Sequence, residues 1–486
     1  MDKLVNEMSS GPTILFVAMH DSIHAARWIE LASTSGTSLH MFPLDSVPTN
    51  PNLRGVTLHW PISISVQPAS SAALAPSRLP LGRRIAQFTK AAWFDSTQAS
   101  RLLWPKTKNH LPTRAPAPSV SDTPIAGSNG LSPLQRRSIL VSAEDLGPAH
   151  SVSGGQVRLG ESTNECRALF GPWVLASLIR QLKPTLIHSM EFQHAGYLVL
   201  KTKEIYGEDF PPWLATNWGS DIFFFRRFAD HAAQIQRLLT SIDYYSCECV
   251  RDIGLARQLG YRGPALPVLP NSGGFDIDHV RRLRSPIPTS RRKVVMIKGY
   301  HHFAGRAMTA IKVLERFADQ LRDYEIVLYS VGAEPRAAAI KLAARKVLNF
   351  RVIDWATHDE MLANFGRARL YMGISISDAI STSVLESMAM GAFPIQTDTS
   401  CCGEWIEDGK SGFIVPHDDF DVICDRFQRA LNDDVLVDQA AEINWATVCE
   451  RLDNRVLRPK VRALYDQILN GSSTAALRPD LQQGAP

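Results

Sequence analysis

The chain has 486 residues, a formal net charge of +4, and a composition that is 45% hydrophobic and 21% charged. Length on this scale exceeds what one hydrophobic core organises, so two domains are expected. The charge is too small to point to nucleic acid, and no stretch approaches the apolar length of a membrane span.

The segment before Thr13 lacks the long apolar region of a signal peptide and runs directly into a strand, so a cytoplasmic protein is expected. The seven cysteines, an odd number without a regular framework, agree with a reducing compartment and free thiols. Cys247 with Cys249 and Cys401 with Cys402 lack the spacing and histidine partners of a zinc site, and read as structural or incidental thiols.

In chain order, Thr13 to Met19 is an apolar block suited to a central parallel strand, followed by a helix that ends near Gly36 and a strand from Ser38 to Phe42. A β-α-β start predicts a doubly wound sheet. From about residue 67 to 164, Pro, Ser, Ala and Gly dominate, and too few periodic apolar residues remain for a packed core, so the segment reads as an insertion or mobile loop. Within it, Arg83 to Phe94 has the pattern of a basic amphipathic helix, lying either on its own domain or against a membrane or acceptor.

Alternation resumes with a helix over Leu169 to Leu182, a strand from Thr185 to Met190 whose tip carries His188 and Glu191, and a helix over Tyr197 to Ile205. Strands are predicted at Trp213 to Asn217, Asp243 to Cys247 and Ala265 to Leu269, with a helix over Val250 to Leu259. The polar, basic Arg281 to Arg292 reads as a linker. A second series follows, with strands at Lys293 to Lys298, Tyr324 to Tyr329, Phe350 to Ile353 and Leu370 to Ile376. Its helices are predicted at Arg306 to Leu321, Arg336 to Leu348, Phe420 to Leu431 and Val448 to Leu469. The predicted organisation is an N-terminal domain over 1–280, a C-terminal domain over 281–470 and a loose polar tail over 471–486, with a ligand cleft between the two domains.

The stretch from Ile374 to Pro416 is the most informative. Its strand leads through Ser377 and Asp378 into Ser381, Thr382 and Ser383, then a helix that Gly391 ends, and a strand opens at Phe393. Anions collect at such a helix start beyond a strand end. Ser383 and Glu386 also have the spacing of a capping box, so on pattern alone Glu386 serves either a ligand or the helix cap.

Asp378 and Glu386, separated by seven residues, precede Met388-Ala-Met-Gly391 with Pro394, and then Asp408-Gly-Lys-Ser-Gly-Phe-Ile-Val-Pro416. This set resembles the donor region of retaining glycosyltransferases of the GT-B fold, family 4. His24-Ala-Ala-Arg-Trp28 and Trp218-Gly-Ser-Asp221 look like motifs of the same superfamily's acceptor domain. The resemblance implies two Rossmann-like doubly wound domains facing each other across a cleft. It further implies transfer of a sugar from a nucleotide-diphosphate donor to an acceptor hydroxyl, with retention at the anomeric carbon.

Under that resemblance Glu386 would hold the ribose and Asp378, where most members carry glutamate, would lie near the sugar. Ser381, Thr382, Ser383 and the helix N–H groups would hold the diphosphate, with Lys298 and Arg306 supplying positive charge. His24 and Asp221 are candidates for orienting the acceptor, His188 and Glu191 weaker ones. No obligatory metal or other cofactor is implied, and the acceptor would be a glycan, a lipid-linked carrier or a small molecule, with peripheral membrane contact open. Met19 to His24 replaces the Gly-Gly loop of many members, and Trp218 stands where others have histidine. A sugar-nucleotide epimerase or hydrolase, or a silent nucleotide-sugar binder, remains an alternative on the same fold. A dinucleotide oxidoreductase is disfavoured because neither half has G-x-G-x-x-G after its first strand.

Overall fold

The computed structural model describes residues 11–34, 36–44, 48–66, 131–142, 155–159 and 164–470. The predicted helix over Arg83 to Phe94 and the tail beyond residue 470 lie outside them. Two compact units divide the chain between Trp213 and Leu214, so the boundary expected at 280/281 falls inside the second unit.

The first unit runs β1 (Thr13–Ala18), α1 (Ile23–Ala32), β2 (Ser38–Pro43), β3 (Thr57–Val66), β4 (Gln135–Ser142), β5 (Gly155–Leu159), α2 (Asn164–Leu182), β6 (Leu186–Met190) and α3 (Tyr197–Tyr206). Its strands lie in the order β4-β3-β2-β1-β6, all parallel, with β5 antiparallel on β3. β1 is central, and five of its six residues are buried, as its unbroken apolar sequence requires.

β3, β4 and β5 correct the expectation for this region. The insertion read as lacking order contains two strands, and β3 was not anticipated. Ladder pairing is a tertiary contact, and Pro- and Ser-rich flanks hide short strands from a periodicity argument.

In the second unit β7 (Trp213–Thr216), which begins on the unit boundary, pairs in parallel with β8 (Tyr244–Ser246). α4 (Ser220–Phe223) and α5 (Ala229–Ser241) lie between them, and α6 (Val250–Gln258) and α7 (Ile277–Leu283) follow. The strand predicted at Ala265 to Leu269 reduces to one bridge between Tyr245 and Ala265. The expected linker is partly ordered: α7 extends to Leu283, and Thr289–Arg291 is a 3-10 turn.

The main sheet of this unit is built from β9 (Val294–Lys298), α8 (Ala307–Arg316), β10 (Glu325–Tyr329), α9 (Ala333–Ala344), β11 (Asn349–Ile353), α10 (His358–Arg367), β12 (Leu370–Gly373), α11 (Thr382–Met390), β13 (Phe393–Thr397) and β14 (Phe413–Val415). Its six strands lie parallel in the order β11-β10-β9-β12-β13-β14. α12 (Phe420–Asn432), α13 (Asp434–Arg451) and α14 (Asn454–Leu469) complete the unit. The single helix predicted from Val448 is therefore two, broken at Leu452 and Asp453, where the Asp453 side chain accepts from Arg455 N–H and caps α14.

Val295, Ile297, Leu328, Leu370, Met372, Phe393 and Ile395 of this sheet pack with Ile311 and Leu314 of α8 and Phe427 of α12. Each such side chain contributes roughly 1.5–3 kcal/mol on burial. No helix among the described residues is long and apolar enough to cross a membrane.

Candidate functional site

In the second unit the chain winds from β9 outward through β10 to β11, then returns to place β12 on the other side of β9. The carboxyl ends of β9 and β12 are therefore the point where strand order reverses, the usual ligand position in an open α/β sheet. Lys298 is the last residue of β9, and the loop after β12 carries Asp378 and Ser381 into α11.

Lys298 Nζ stands 3.5 Å from Ser381 Oγ, 3.9 Å from Asp378 Oδ2 and 4.8 Å from the centre of the Tyr300 ring. These polar distances exceed the 2.7–2.9 Å of a tight charge-assisted bond, so neither Ser381 nor Asp378 closely engages the ammonium. Its side chain is 22% exposed and that of Asp378 27% exposed. Burial alone would lower the Lys298 pKa, yet Asp378, Tyr371, Tyr300 and Glu386 together hold it above its ordinary value. Lys298 is thus a fixed cation. Burial first, then Lys298 and Arg306, keep His302 below its ordinary value.

Ser381 is the N-cap of α11, but its side chain makes no capping bond to that helix. The orphan N–H groups of the first turn are therefore not satisfied by their own cap. Ser383 lies inside the first turn and Glu386 in the second, which corrects the capping-box alternative for Glu386. Instead Glu386 Oε1 meets His358 Nε2 at 3.0 Å, with the Glu386 side chain 11% exposed. His358 opens α10 behind a true capping box formed by Thr357 and Glu360. It lies parallel to the Phe275 ring at 6.5 Å. His358 had no motif of its own. Its only sequence signal is the capping pattern that fixes it at a helix start.

Several backbone devices position this loop. Arg306 N–H donates to Ile374 O and Ile376 N–H donates to Ala304 O, both at 2.8 Å, strapping the segment after β9 to the one after β12. Arg251 Nη2 donates to Asp378 O at 2.9 Å, and its Nη1 to Thr399 O at 3.0 Å. Gly219, at φ +90°, packs so closely on Ala379 that an added Cβ would lie 2.1 Å from the Ala379 nitrogen. The Trp218-Gly-Ser-Asp221 motif therefore has a packing reason for its glycine. Ser377 Oγ donates to Ser220 Oγ at 2.9 Å.

Behind the loop, Glu248 is buried and accepts from Asn271 N–H at 3.0 Å. Burial, followed by the charge of Asp378, pushes its carboxyl well up. Neither Arg251 nor Glu248 carried a sequence signal, because each acts through a contact far along the chain.

The far end of α11 is equally determined. Gly391 ends it at φ +80°, in the left-handed region where glycine is unstrained. Thr289 Oγ1 donates to Gly391 O at 2.6 Å, Arg284 Nη1 to Ala389 O at 2.8 Å and Arg292 Nη1 to Met390 O at 3.0 Å. The basic segment expected as a linker thus neutralises a helix C-terminus. The Asp408-Gly-x-x-Gly motif is a turn: Asp408 Oδ1 accepts from Ile414 N–H at 2.9 Å and leads the chain into β14.

The remaining candidates lie elsewhere. Arg306 donates through Nη1 to the carbonyls of its own loop, at 3.0 Å to His302, 3.4 Å to Phe303 and 2.8 Å to Gly305. These bonds stiffen the loop, and the charge of Arg306, like that of Lys298, acts on His302. Thr382 is half-buried beside Ser381 and Ser383. Both Asp221 oxygens accept from Trp218 N–H, at 2.8 and 2.9 Å, closing the turn after β7.

His24 is half-buried in the first turn of α1, and its N–H is accepted by Ser22 Oγ at 3.2 Å. His188 is buried in β6 against Phe16 and Trp28, with ring centres 5.3 and 6.4 Å away, and burial lowers its pKa to about 3. Glu191, at φ +84°, accepts N–H bonds from Gln193, His194 and Ala195 and caps the π-turn after β6.

Residues 292–433 match the sequence profile of the glycosyl transferases group 1 family. The chain has no significant match among curated proteins. Among solved structures it is similar to sucrose-phosphate synthase from Thermosynechococcus elongatus at 12% identity, with a TM-score of 0.60 over 95% of this chain and all of that one. It is also similar to Anabaena HepE in complex with UDP and glucose, at 11% identity and a TM-score of 0.56 over 94% and 99% of the two chains. A glycosyltransferase from Rickettsia africae matches at 12% identity and a TM-score of 0.52 over 95% and 100%. Together with the two parallel-sheet Rossmann-like units, these likenesses establish the GT-B fold.

Proposed function

We propose that the protein is a glycosyltransferase that moves a sugar from a nucleotide-diphosphate donor to an acceptor hydroxyl, with retention of anomeric configuration. The carrying observation is the convergence of Lys298, Ser381 and Asp378 at the β9/β12 switch point, at the N-terminus of α11 and inside the segment that matches the group 1 family. A departing nucleoside diphosphate gains negative charge as the glycosidic bond breaks. A fixed ammonium and a set of uncapped N–H groups stabilise that charge without reorganising. Ser381, Thr382 and Ser383 bind the diphosphate. Glu386 accepts hydrogen bonds from the ribose hydroxyls, held in place by His358. Asp378 faces the sugar.

In this reading no divalent ion takes part in the transfer step, because Lys298 and α11 occupy that role. His24 and Asp221 are the residues to test for the acceptor, and the enzyme works in the cytoplasm. Anabaena HepE, whose structure contains UDP and glucose, makes uridine the first base to try.

Thermal shift against UDP, UDP-glucose and the other nucleoside diphosphates tests donor binding, since a ligand stabilises the folded chain by its concentration relative to Kd. A shift with one base, lost in Glu386→Ala, is expected. No shift with any nucleotide would overturn the assignment. NMR of the transferred anomeric centre decides retention.

A further inference from the structure

We infer that Cys249, Cys401 and Glu404 form a binding site for one thiophilic divalent cation of the zinc class, separate from the donor site. Their ligand atoms, two sulfurs and a carboxylate oxygen, all lie within 4.8 Å of one another. A tetrahedral zinc set with Zn–S near 2.3 Å and Zn–O near 2.0–2.2 Å needs ligand–ligand separations of roughly 3.5–4 Å, so closing it takes only a small inward movement. Three protein ligands leave one tetrahedral position for water.

The fold, rather than the sequence, chooses which thiols face this point. Cys247 Sγ donates to Cys249 O and Cys402 Sγ donates to Thr397 O, each at 3.3 Å, so the neighbour of each ligand cysteine is bound to a backbone carbonyl. Cys249, buried as the residue before α6, and Cys401, at φ +49° between two short 3-10 turns, are the pair brought together. They are 152 positions apart, which is why neither sequence-adjacent pair looked like a metal motif.

The third ligand is oriented from outside. Glu404 Oε1 accepts from Val250 N–H at 2.8 Å, and Arg451 Nη1 donates to Glu404 O at 2.7 Å. The Val250 bond is the kind of outer hydrogen bond that fixes a carboxylate for metal binding, while the Arg451 bond holds the Glu404 backbone. The nearby Arg251 guanidinium is engaged at 2.8 Å by the buried Asp252 and by the carbonyls of Thr399 and Asp378. Its charge is thus partly answered before a cation arrives. A thiol must lose its proton to bind such a cation. Binding therefore exchanges thiol protons for the metal. The cation would tie the end of β8 to the loop after β13, the same two segments through which Arg251 holds the backbone at Asp378.

The test uses the full chain, reduced and stripped of metal, titrated with Co2+. The expected result is a thiolate-to-cobalt charge-transfer band that saturates at one equivalent, is displaced by Zn2+, and is accompanied by a rise in Tm. Cys249→Ser and Cys401→Ser should lose the band. Cys247→Ser and Cys402→Ser should keep it, and Glu404→Gln should keep it with affinity weakened about tenfold. A second measurement needs no variant: Zn2+ should protect Cys249 and Cys401 from alkylation, read by peptide mass spectrometry. Absence of the band in wild type, equal loss in the two control variants, or unprotected thiols would each overturn the site. So would a Cys249–Cys401 disulfide that persists in the reduced preparation. Glycosyl transfer is not a readout here, so failure of this proposal and of the proposed function are separable.

Discussion

Each unit has a sheet in which strand order reverses beside its first strand, yet the polar residues at the two reversal points are used differently. At β1 and β6 they serve their own backbone: Ser22 caps α1, Glu191 caps the following π-turn, and His188 is packed in the core. At β9 and β12 the cap residue makes no capping bond, and a lysine stands 3.5–3.9 Å from the serine and aspartate beyond it. One reversal point is closed by local hydrogen bonds, and the other leaves a lysine, a serine and an aspartate grouped at a helix start. A Rossmann-like topology supplies the position of a site. Whether a site is there depends on whether the side chains at that position are already engaged.

The largest expected effect tests the charged reversal point. Lys298→Met removes a preorganised cation and should lower kcat/KM about 10²–10³-fold, measured by steady-state transfer assays with circular dichroism to confirm folding. His24→Ala, at the other reversal point, should cost less. A greater loss for His24→Ala would reverse the comparison.

The sheet that holds the closed reversal point makes an opposite prediction, about stability. Burial is the leading cause that lowers His188 to about 3, His59 to about 3 and His40 to about 4, with His40 and then Arg137 adding at His59 and Arg137 adding at His40. His40 Nδ1 and His59 Nε2 are 2.9 Å apart. The unfolded chain binds protons at these histidines below pH 6.5, whereas the folded chain does not until about pH 3–4. Stability from these groups is therefore complete above pH 6.5 and is lost as pH falls toward their folded values. Each histidine sets a limiting slope of roughly 1.4 kcal/mol per pH unit. Urea denaturation between pH 7 and 5 should show a loss of about 2 kcal/mol per histidine, on the order of 6 kcal/mol for the three, reduced in His188→Gln if that variant folds. A flat profile would mean that these histidines are not held neutral.

Glu386→Gln keeps the shape of the side chain and weakens its bond to a ribose hydroxyl and to His358, so donor Kd should rise about 10–30-fold with kcat less affected. His358→Asn should give a smaller rise in the same direction. Isothermal titration with the nucleotide that shifts Tm reads both. Equal Kd values for Glu386→Gln and wild type would remove Glu386 from the donor site.

The smallest effect separates Lys298 from the other basic candidate. Because the Arg306 guanidinium binds carbonyls of its own loop, Arg306→Lys should change donor Kd by less than about threefold, again by titration. A change as large as that of Lys298→Met would place Arg306 on the diphosphate after all.

Sequence alone determined the parts of this protein that rest on local chemistry. The apolar blocks of β1, β9, β12 and β13, the helix over Thr382–Met390 and its Gly391 stop follow from period and cap, which need only neighbouring residues. Asp378 and Ser381 are marked in the sequence as polar residues between the β12 block and the following helix, whereas Lys298 is marked only by the family resemblance. Tertiary structure alone decided whether Glu386 caps its helix or faces His358, and which carbonyls hold Arg306. It also decided that Gly219 must clear Ala379, and that Cys249 meets Cys401 rather than Cys247. It found β4 and β5 in a stretch whose composition predicts no order. In each case the deciding partner lies far along the chain. A pattern of residues records what neighbours can do for one another, whereas only packing fixes which distant groups meet.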